Sequence, residues 1–372
     1  MTKIAFHLNC LVHGGAERVV ANLANRFARE GDEIIVATEW TDENEYELDP
    51  AVRRVHVGLR PEDEKKSRLS KIVLRRRYLR EFLLKEKPDV LVAFAIKANY
   101  RALSACPGTG VPVVISVRID PQAFYTGPVN RIATACLFGR AAGCVFQTED
   151  ARKFFAPLLQ DNSVIIYNPI TPKYIEAPSV KQEEREKFIV NVGRLVDFKN
   201  QAMLVRAFAG VLEKYPDYTL RIYGPDSGDG TKQILEKEIR DHHLEEKVFL
   251  MGDCNTLEKE IAKAAVFAFS SDYEGMPNAL LEAMALGLPV ISTDCRPGAP
   301  RMMIRDGENG LLIPVGDEKA MTAAILRLLD DPKEAQRMGD EARKIREIAN
   351  VDTVCRQWKE YLEDVIRNGK RA

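Results

Sequence analysis

The sequence holds little that would cross-link it, anchor it in a membrane or leave it disordered. Its seven cysteines (Cys10, Cys106, Cys136, Cys144, Cys254, Cys295 and Cys355) are odd in number and none forms a C-x-x-C pair. The five histidines lack metal-ligand spacing. This argues against a disulfide framework or a bound metal and reads the thiols as reduced packing residues of a cytoplasmic protein. No apolar run approaches the ~18 residues of a membrane span. The first apolar run breaks at His7 and Asn9, unlike a signal peptide. Neither charge dominates: 54 Lys and Arg oppose 55 Asp and Glu, a net charge of -1. Bulk charge therefore makes no case for nucleic acid, while leaving room for a local basic patch. With 23 Gly and 19 Pro the chain is neither collagen-like nor low-complexity. The fingerprint G-x-G-x-x-G is missing, which disfavours a NAD-dependent dehydrogenase.

What is there is a repeated alternation. A chain of 372 residues is long enough for two domains at ~150 residues each. Short apolar runs at 4–8, 34–38, 89–94, 113–117 and 143–147 read as buried strands, and Gly31 stops a helix running from about Ala16 to Glu30. After a run at 163–167 comes a stretch rich in Pro and charge, up to Lys187, that reads as an interdomain linker. Strand-like runs resume at 188–192, 218–223, 248–251, 266–270, 289–293 and 310–314. Strands separated by helices predict an α/β protein: two doubly wound, Rossmann-like parallel sheets facing each other across a cleft. The boundaries fall at 1–170 and 171–351, and the last segment, 352–372, is a helix with the packing stripe Trp358, Tyr361, Leu362 and Val365. In such sheets ligands bind beyond the carboxyl ends of the strands.

The most informative segment runs from Ser270 to Pro289. Pro277 stands near the start of a helix and Gly287 near its end. From Ala279 to Leu286 every residue but Glu282 is apolar, which predicts a buried helix carrying a carboxylate where one is costly. Glu274 lies in the preceding loop. Glu282 sits about five residues into the helix, roughly 7 Å along its axis. Two carboxylates at two heights can grip an extended ligand, and the free N–H groups of 276–279 between them suit an anion. A carboxylate accepts two hydroxyl hydrogen bonds, as a ribose diol requires. The competing reading is a buried glutamate that caps a neighbouring loop.

A second constellation, Gly193-Arg194-Leu195-Val196-Asp197-Phe198-Lys199-Asn200, places two cations five apart after a strand. The planar fork of Arg194 and the point charge of Lys199 suit a diphosphate, with a helix dipole from near Asn200 adding to them. Alone, both could be ordinary solvated cations. Third, Gly14 and Gly15 after the first strand allow close backbone approach to a ligand, although a plain strand–helix turn needs them too. Glu17 either lines that site or favours the helix N-terminus.

Together E-G-M-P-N-A-L-L-E (274–282), G-R-L-x-x-x-K-N (193–200) and G-G-A-E (14–17) resemble a retaining glycosyltransferase of GT-B architecture, family GT4. The resemblance covers nearly the whole chain, and Asn309-Gly310-Leu311-Leu312-Ile313-Pro314 adds the usual late strand. It implies sugar transfer from a nucleotide sugar with retention, without cofactor or metal. The nucleotide is expected to be UDP, and the acceptor a saccharide or lipid-linked glycan of a bacterial surface polysaccharide. It implies that Glu282 holds the ribose and Glu274 the donor sugar hydroxyls. Gly275, Met276, Pro277 and Asn278 give backbone contacts, Arg194 and Lys199 hold the diphosphate, Gly14 and Gly15 belong to the loop that closes on the donor, and Gly193 and Glu17 count among the donor-binding residues. It further implies an acceptor-binding first domain, a donor-binding second domain and a last helix that crosses back to the first.

Where many relatives carry a His, this chain has Arg118 and Asp120, either of which could orient donor or acceptor or join a salt bridge between loops. Lys97 and Asn99 are weaker candidates for the acceptor side, and His13 reads as structural. Asp226 and Asp229 imitate a metal-binding D-x-D, but turn chemistry explains them better.

Residues 65–80 carry eight cations and no acid, with the apolar stripe Leu69, Ile72, Val73, Leu79, Phe82 and Leu83. This predicts either a helix lying on the inner face of the membrane or a solvated face on an ordinary helix. Rival functions share the fold: a nucleotide-sugar epimerase or hydrolase, a glycoside hydrolase using Glu274 and Glu282, and a non-catalytic binding subunit.

Overall fold

The computed structural model describes residues 1–12, 14–159 and 162–369. His13 therefore lies outside the described residues. The chain divides into two compact units, Met1–Pro169 with Val351–Ala372, and Ile170–Asn350.

The first unit is built on β1 (Lys3–Leu8), β2 (Glu33–Thr38), β3 (Arg53–His56), β4 (Val90–Phe94), β5 (Val113–Val117), β6 (Gly143–Phe146) and β7 (Ser163–Ile165). All pairings are parallel, in the order β3-β2-β1-β4-β5-β6-β7. The central strands are apolar on both sides, because each side meets a separate core. Phe6, Val92 and Val114 face the helix Gly15–Arg29, while Ala5, Leu91 and Ile115 face the helices Arg68–Glu86 and Ile96–Ala105.

The pattern of apolar runs misses β3. Arg53 and His56 are exposed and Arg54 and Val55 half-buried, so this edge strand has no apolar signature. The segment read as a linker is also partly ordered. Pro172 opens a short helix, Pro172–Glu176, that buries Tyr174.

The second unit holds β8 (Glu186–Val192), β9 (Thr219–Tyr223), β10 (Val248–Gly252), β11 (Ala264–Phe269), β12 (Val290–Thr293) and β13 (Leu311–Ile313), again all parallel, ordered β10-β9-β8-β11-β12-β13. Its main core packs Met203, Leu204, Phe208 and Val211 of the helix Gln201–Leu212 against Ile189, Ile222 and Val266.

The helix Val351–Gly369 belongs to the first unit. Trp358 is fully buried and stacks on Phe94 with ring centroids 5.5 Å apart. The Tyr361 hydroxyl accepts from the Cys144 N–H at 2.8 Å and donates to the Asn162 carbonyl at 2.7 Å. The predicted stripe of this helix is thus its docking face: Leu362 and Val365 complete the contact.

Candidate active site

In the second sheet the strand order reverses between β8 and β11, and a crevice opens beyond the carboxyl ends of strands at such a point. Gly193 follows β8, and the loop 270–274 follows β11. The two segments are laced together. The Asp272 N–H donates to the Phe198 carbonyl at 2.8 Å, Ser270 Oγ to the Lys199 carbonyl at 2.8 Å, and Asn200 Nδ2 to Asp272 Oδ1 at 2.8 Å. The rings of Phe198 and Tyr273 stack with centroids 4.8 Å apart.

That lacing brings the ammonium of Lys199 onto the carboxylate of Glu274 as an ion pair. Ser271 Oγ donates to the same carboxylate at 3.2 Å, and the Glu274 N–H is held by the Arg296 carbonyl at 2.8 Å. Beneath them, burial pushes the Cys295 thiol up to about 12, with Glu274 adding to the effect. The exposed Arg194 guanidinium makes no ion pair among the described residues. Close backbone approach shapes the β8 end. A Cβ on Gly193 would meet Lys199 Cε at 3.2 Å, and one on Gly224 would run into the Gly193 carbonyl.

The helix Asn278–Ala285 starts at the cap Pro277, with Met276 and Pro277 buried and Gly275 and Asn278 half-buried. Its first-turn N–H groups have no partner within the helix and form its electropositive end. Glu282 is 6% exposed on the same helix. The Lys199–Glu274 pair and the start of this helix thus follow the carboxyl ends of β8 and β11, with Arg194 in the loop after β8 and Glu282 farther along the helix. Asp226 and Asp229 serve turns, accepting from the Gly228 and Thr231 N–H groups.

The first unit carries its own polar cluster. Gly14 caps the helix Gly15–Arg29 with an extended backbone, and a Cβ there would strike the Glu17 carboxylate. Arg118, beyond β5, donates to Ser116 Oγ at 3.1 Å and to Asn168 Oδ1, and lies 5.3 Å from the centre of the Phe94 ring. Burial lowers its guanidinium to about 9, while Glu17 pulls it the other way. Asp120 is buried, and its Oδ1 accepts from the Gln122 N–H at 3.1 Å, capping the turn Pro121–Phe124. Lys97 is exposed. Asn99 is buried with its amide committed to the Ser116 carbonyl at 2.9 Å, so it turns inward rather than toward an acceptor.

Several residues inside the quoted segments were given no role by the sequence. Ser271, Asn200 and Asp272 act through partners about 70 residues away or through a short local turn. Buried His7 and Glu39 and half-buried Arg101 form a chain at the β1–β2 ends: Arg101 pairs with Glu39 and lies 3.4 Å from His7 Nε2. Ala95, after β4, has φ 75°, a strained backbone for a residue with a Cβ.

Comparison with known proteins follows this division. The profile of glycosyl transferases group 1 matches residues 174–345, and that of glycosyltransferase family 4 matches 13–174. A Campylobacter jejuni N-acetylgalactosamine-N,N'-diacetylbacillosaminyl-diphospho-undecaprenol 4-alpha-N-acetylgalactosaminyltransferase is 28% identical, covering 97% of this chain and 100% of that one. A second Campylobacter jejuni alpha-1,4-N-acetyl-D-galactosaminyltransferase is 23% identical over 98% of this chain and 99% of its own. Among solved structures, Anabaena HepE with UDP and glucose superposes with a TM-score of 0.83 at 18% identity, covering 98% of this chain and 100% of HepE. These likenesses show the GT-B architecture.

Proposed function

The chain belongs to the GT4-type glycosyltransferases, and we propose that it moves a hexose or N-acetylhexosamine from a UDP-sugar to a saccharide or lipid-linked acceptor of a bacterial surface polysaccharide, with retention and without a metal. The observation that carries this reading is the Lys199–Glu274 pair beside Arg194 and the 278–285 helix N-terminus. An arriving diphosphate competes for Lys199 and, with Arg194 and the first-turn N–H groups, accounts for a cation-rich end that a neutral sugar would not need. Glu274 is then released to the sugar hydroxyls.

In this proposal Glu282 accepts from the two ribose hydroxyls. Gly193, Gly275, Met276, Pro277 and Asn278 offer backbone, and Gly14, Gly15 and Glu17 are assigned to the donor. Arg118 and Asp120 orient donor or acceptor. The bond from the acceptor oxygen to the anomeric carbon forms as the anomeric carbon–phosphate oxygen bond breaks. The acceptor's proton passes to the departing diphosphate, whose charge Arg194, Lys199 and the N–H groups stabilise. The Campylobacter relative acts on a diphospho-undecaprenol acceptor, which supports the lipid-linked choice and a membrane contact at 65–80.

A glycoside hydrolase using Glu274 and Glu282 would leave Arg194 and Lys199 without an anionic substrate group. Calorimetric titration with UDP, GDP and ADP in the presence of chelator tests the donor. NMR of the product's anomeric proton tests retention. Binding of UDP that survives chelation supports the proposal; binding that requires added metal, or an inverted anomer, contradicts it.

A further inference from the structure

The apolar stripe predicted for the basic helix is not continuous. Leu79, Phe82 and Leu83 are buried under the first sheet, but Leu69, Ile72 and Val73 are 58–77% exposed. The first side-chain tie from this helix to the sheet is at Arg75, whose Nε meets Glu39 at 3.1 Å directly after β2. The cations divide in the same way. Arg76 and Arg80 bond carbonyls of the 104–107 turn, and Arg77 pairs with Glu81. Lys65, Arg68 and Lys71, around the exposed apolar residues, make no ion pair among the described residues.

A second exposed pair lies two helices along on the same side of the sheet. The helix Pro128–Leu137 carries Val129 and Ile132, 76% and 67% exposed, with exposed Arg131 between them. Tyr100 of the intervening helix 96–105 fixes it through Asn130 and Thr134. Both helices begin in segments that follow strands, β3 and β5, and so present their first turns at the carboxyl edge of the sheet. This side is short of acid. Between Val90 and Thr148 the sole acidic residue is Asp120, which is buried. Glu62 and Glu64 lie in the turn before the basic helix, where Arg60 faces Glu62.

We infer that the first turns of these two helices form one docking surface for an anionic bilayer, with Leu69, Ile72, Val73, Val129 and Ile132 entering the headgroup boundary and Lys65, Arg68, Lys71 and Arg131 meeting lipid phosphates. The inference deepens the membrane contact proposed above and adds a second helix to it. An apolar cluster ringed by unpaired cations, with no acidic residue in the first turn of either helix, matches an anionic leaflet in both its parts, apolar burial and surface charge. It matches a neutral or acidic protein surface in only one.

The test is co-sedimentation of the full chain with phosphatidylcholine vesicles, with and without phosphatidylglycerol. We expect partition onto the anionic vesicles alone, weakened by salt. Each charge reversal among Lys65, Arg68 and Lys71 should weaken it about fivefold or more. Leu69→Glu/Ile72→Glu and, separately, Val129→Glu/Ile132→Glu should each weaken it at least about tenfold. Equal binding to neutral vesicles, no partition at all, or an unchanged Val129→Glu/Ile132→Glu variant overturns the inference. So does a lipid-free dimer that Leu69→Glu/Ile72→Glu dissolves, since the patch would then be an interface between copies. UDP titration of the same variants reads the donor site separately: vesicle binding without UDP binding sinks the donor proposal and leaves this one standing.

Discussion

The ammonium of Lys199 and the carboxylate of Glu274 hold each other in an ion pair across 75 residues of sequence, with side chains 16% and 14% exposed. The pair neutralises the two groups that the donor would use, and keeps both in place before it arrives. Breaking it has a different cost from removing an exposed cation, because the remaining carboxylate stays in a partly buried site.

Lys199→Ala should therefore lower kcat with the UDP-sugar by about 10²–10³, the usual cost of losing one charge-stabilising donor at a reacting centre. Arg194→Ala should weaken UDP binding by about tenfold. Steady-state nucleotide release and UDP titration check both. Equal, small effects from the two variants would show that the pair has no special place.

Glu282→Gln keeps the size of a side chain that is 6% exposed and removes its charge. Affinity for UDP should fall about 10–100-fold, the value of hydrogen bonds to a charged acceptor, while affinity for inorganic diphosphate stays unchanged. Parallel titrations with the two ligands decide. A matching loss for diphosphate would move Glu282 away from the ribose.

His7 gives a pH signature that does not depend on substrate. Burial first, and Arg101 second, push its imidazole down to about 3 from 6.5. Folded His7 is neutral between those values while the unfolded chain takes up a proton. Stability is thus present above pH 6.5 and is lost on acidification toward 3, at up to about 1.4 kcal/mol per pH unit. Denaturant titrations of the wild type and His7→Gln across this window should differ in slope by that one proton. Parallel curves would contradict the assignment.

Trp358→Ala should destabilise the first unit by about 3–5 kcal/mol, since the side chain is fully buried against Phe94. Trp358→Phe should recover most of the loss. Calorimetry checks it as a fall of about 2–4 °C per kcal/mol in that unit's transition. A change under 1 kcal/mol would mean that the last helix is loosely held.

The two sheets were legible because their strands are short apolar runs, such as Val113–Val117, separated by amphipathic stretches. β3 was not, because an edge strand reading Arg-Arg-Val-His shows one side to water. Glu274, Glu282, Arg194 and Lys199 could be singled out by type and spacing, but sequence cannot show that Lys199 closes onto Glu274. That contact is made by the strand order, which sets β8 beside β11, and by Asn200, Asp272 and Ser271, common residues in common turns. The break in the apolar stripe of 69–83 was hidden for a related reason. Period alone does not tell a helix turn that covers the sheet, at Leu79, from one that has run past it, at Leu69.

The most direct test of the central claim is turnover. The purified chain would be incubated with UDP-, GDP- and ADP-sugars, chelator and bacterial lipid extract, and nucleotide and lipid-linked product followed by mass spectrometry beside Lys199→Ala and Glu282→Ala. The account predicts lipid-dependent release of UDP, a lipid-linked product heavier by one sugar, and loss of both in the two variants. UDP released at the same rate without lipid, or a product that the variants still make at the wild-type rate, would contradict it.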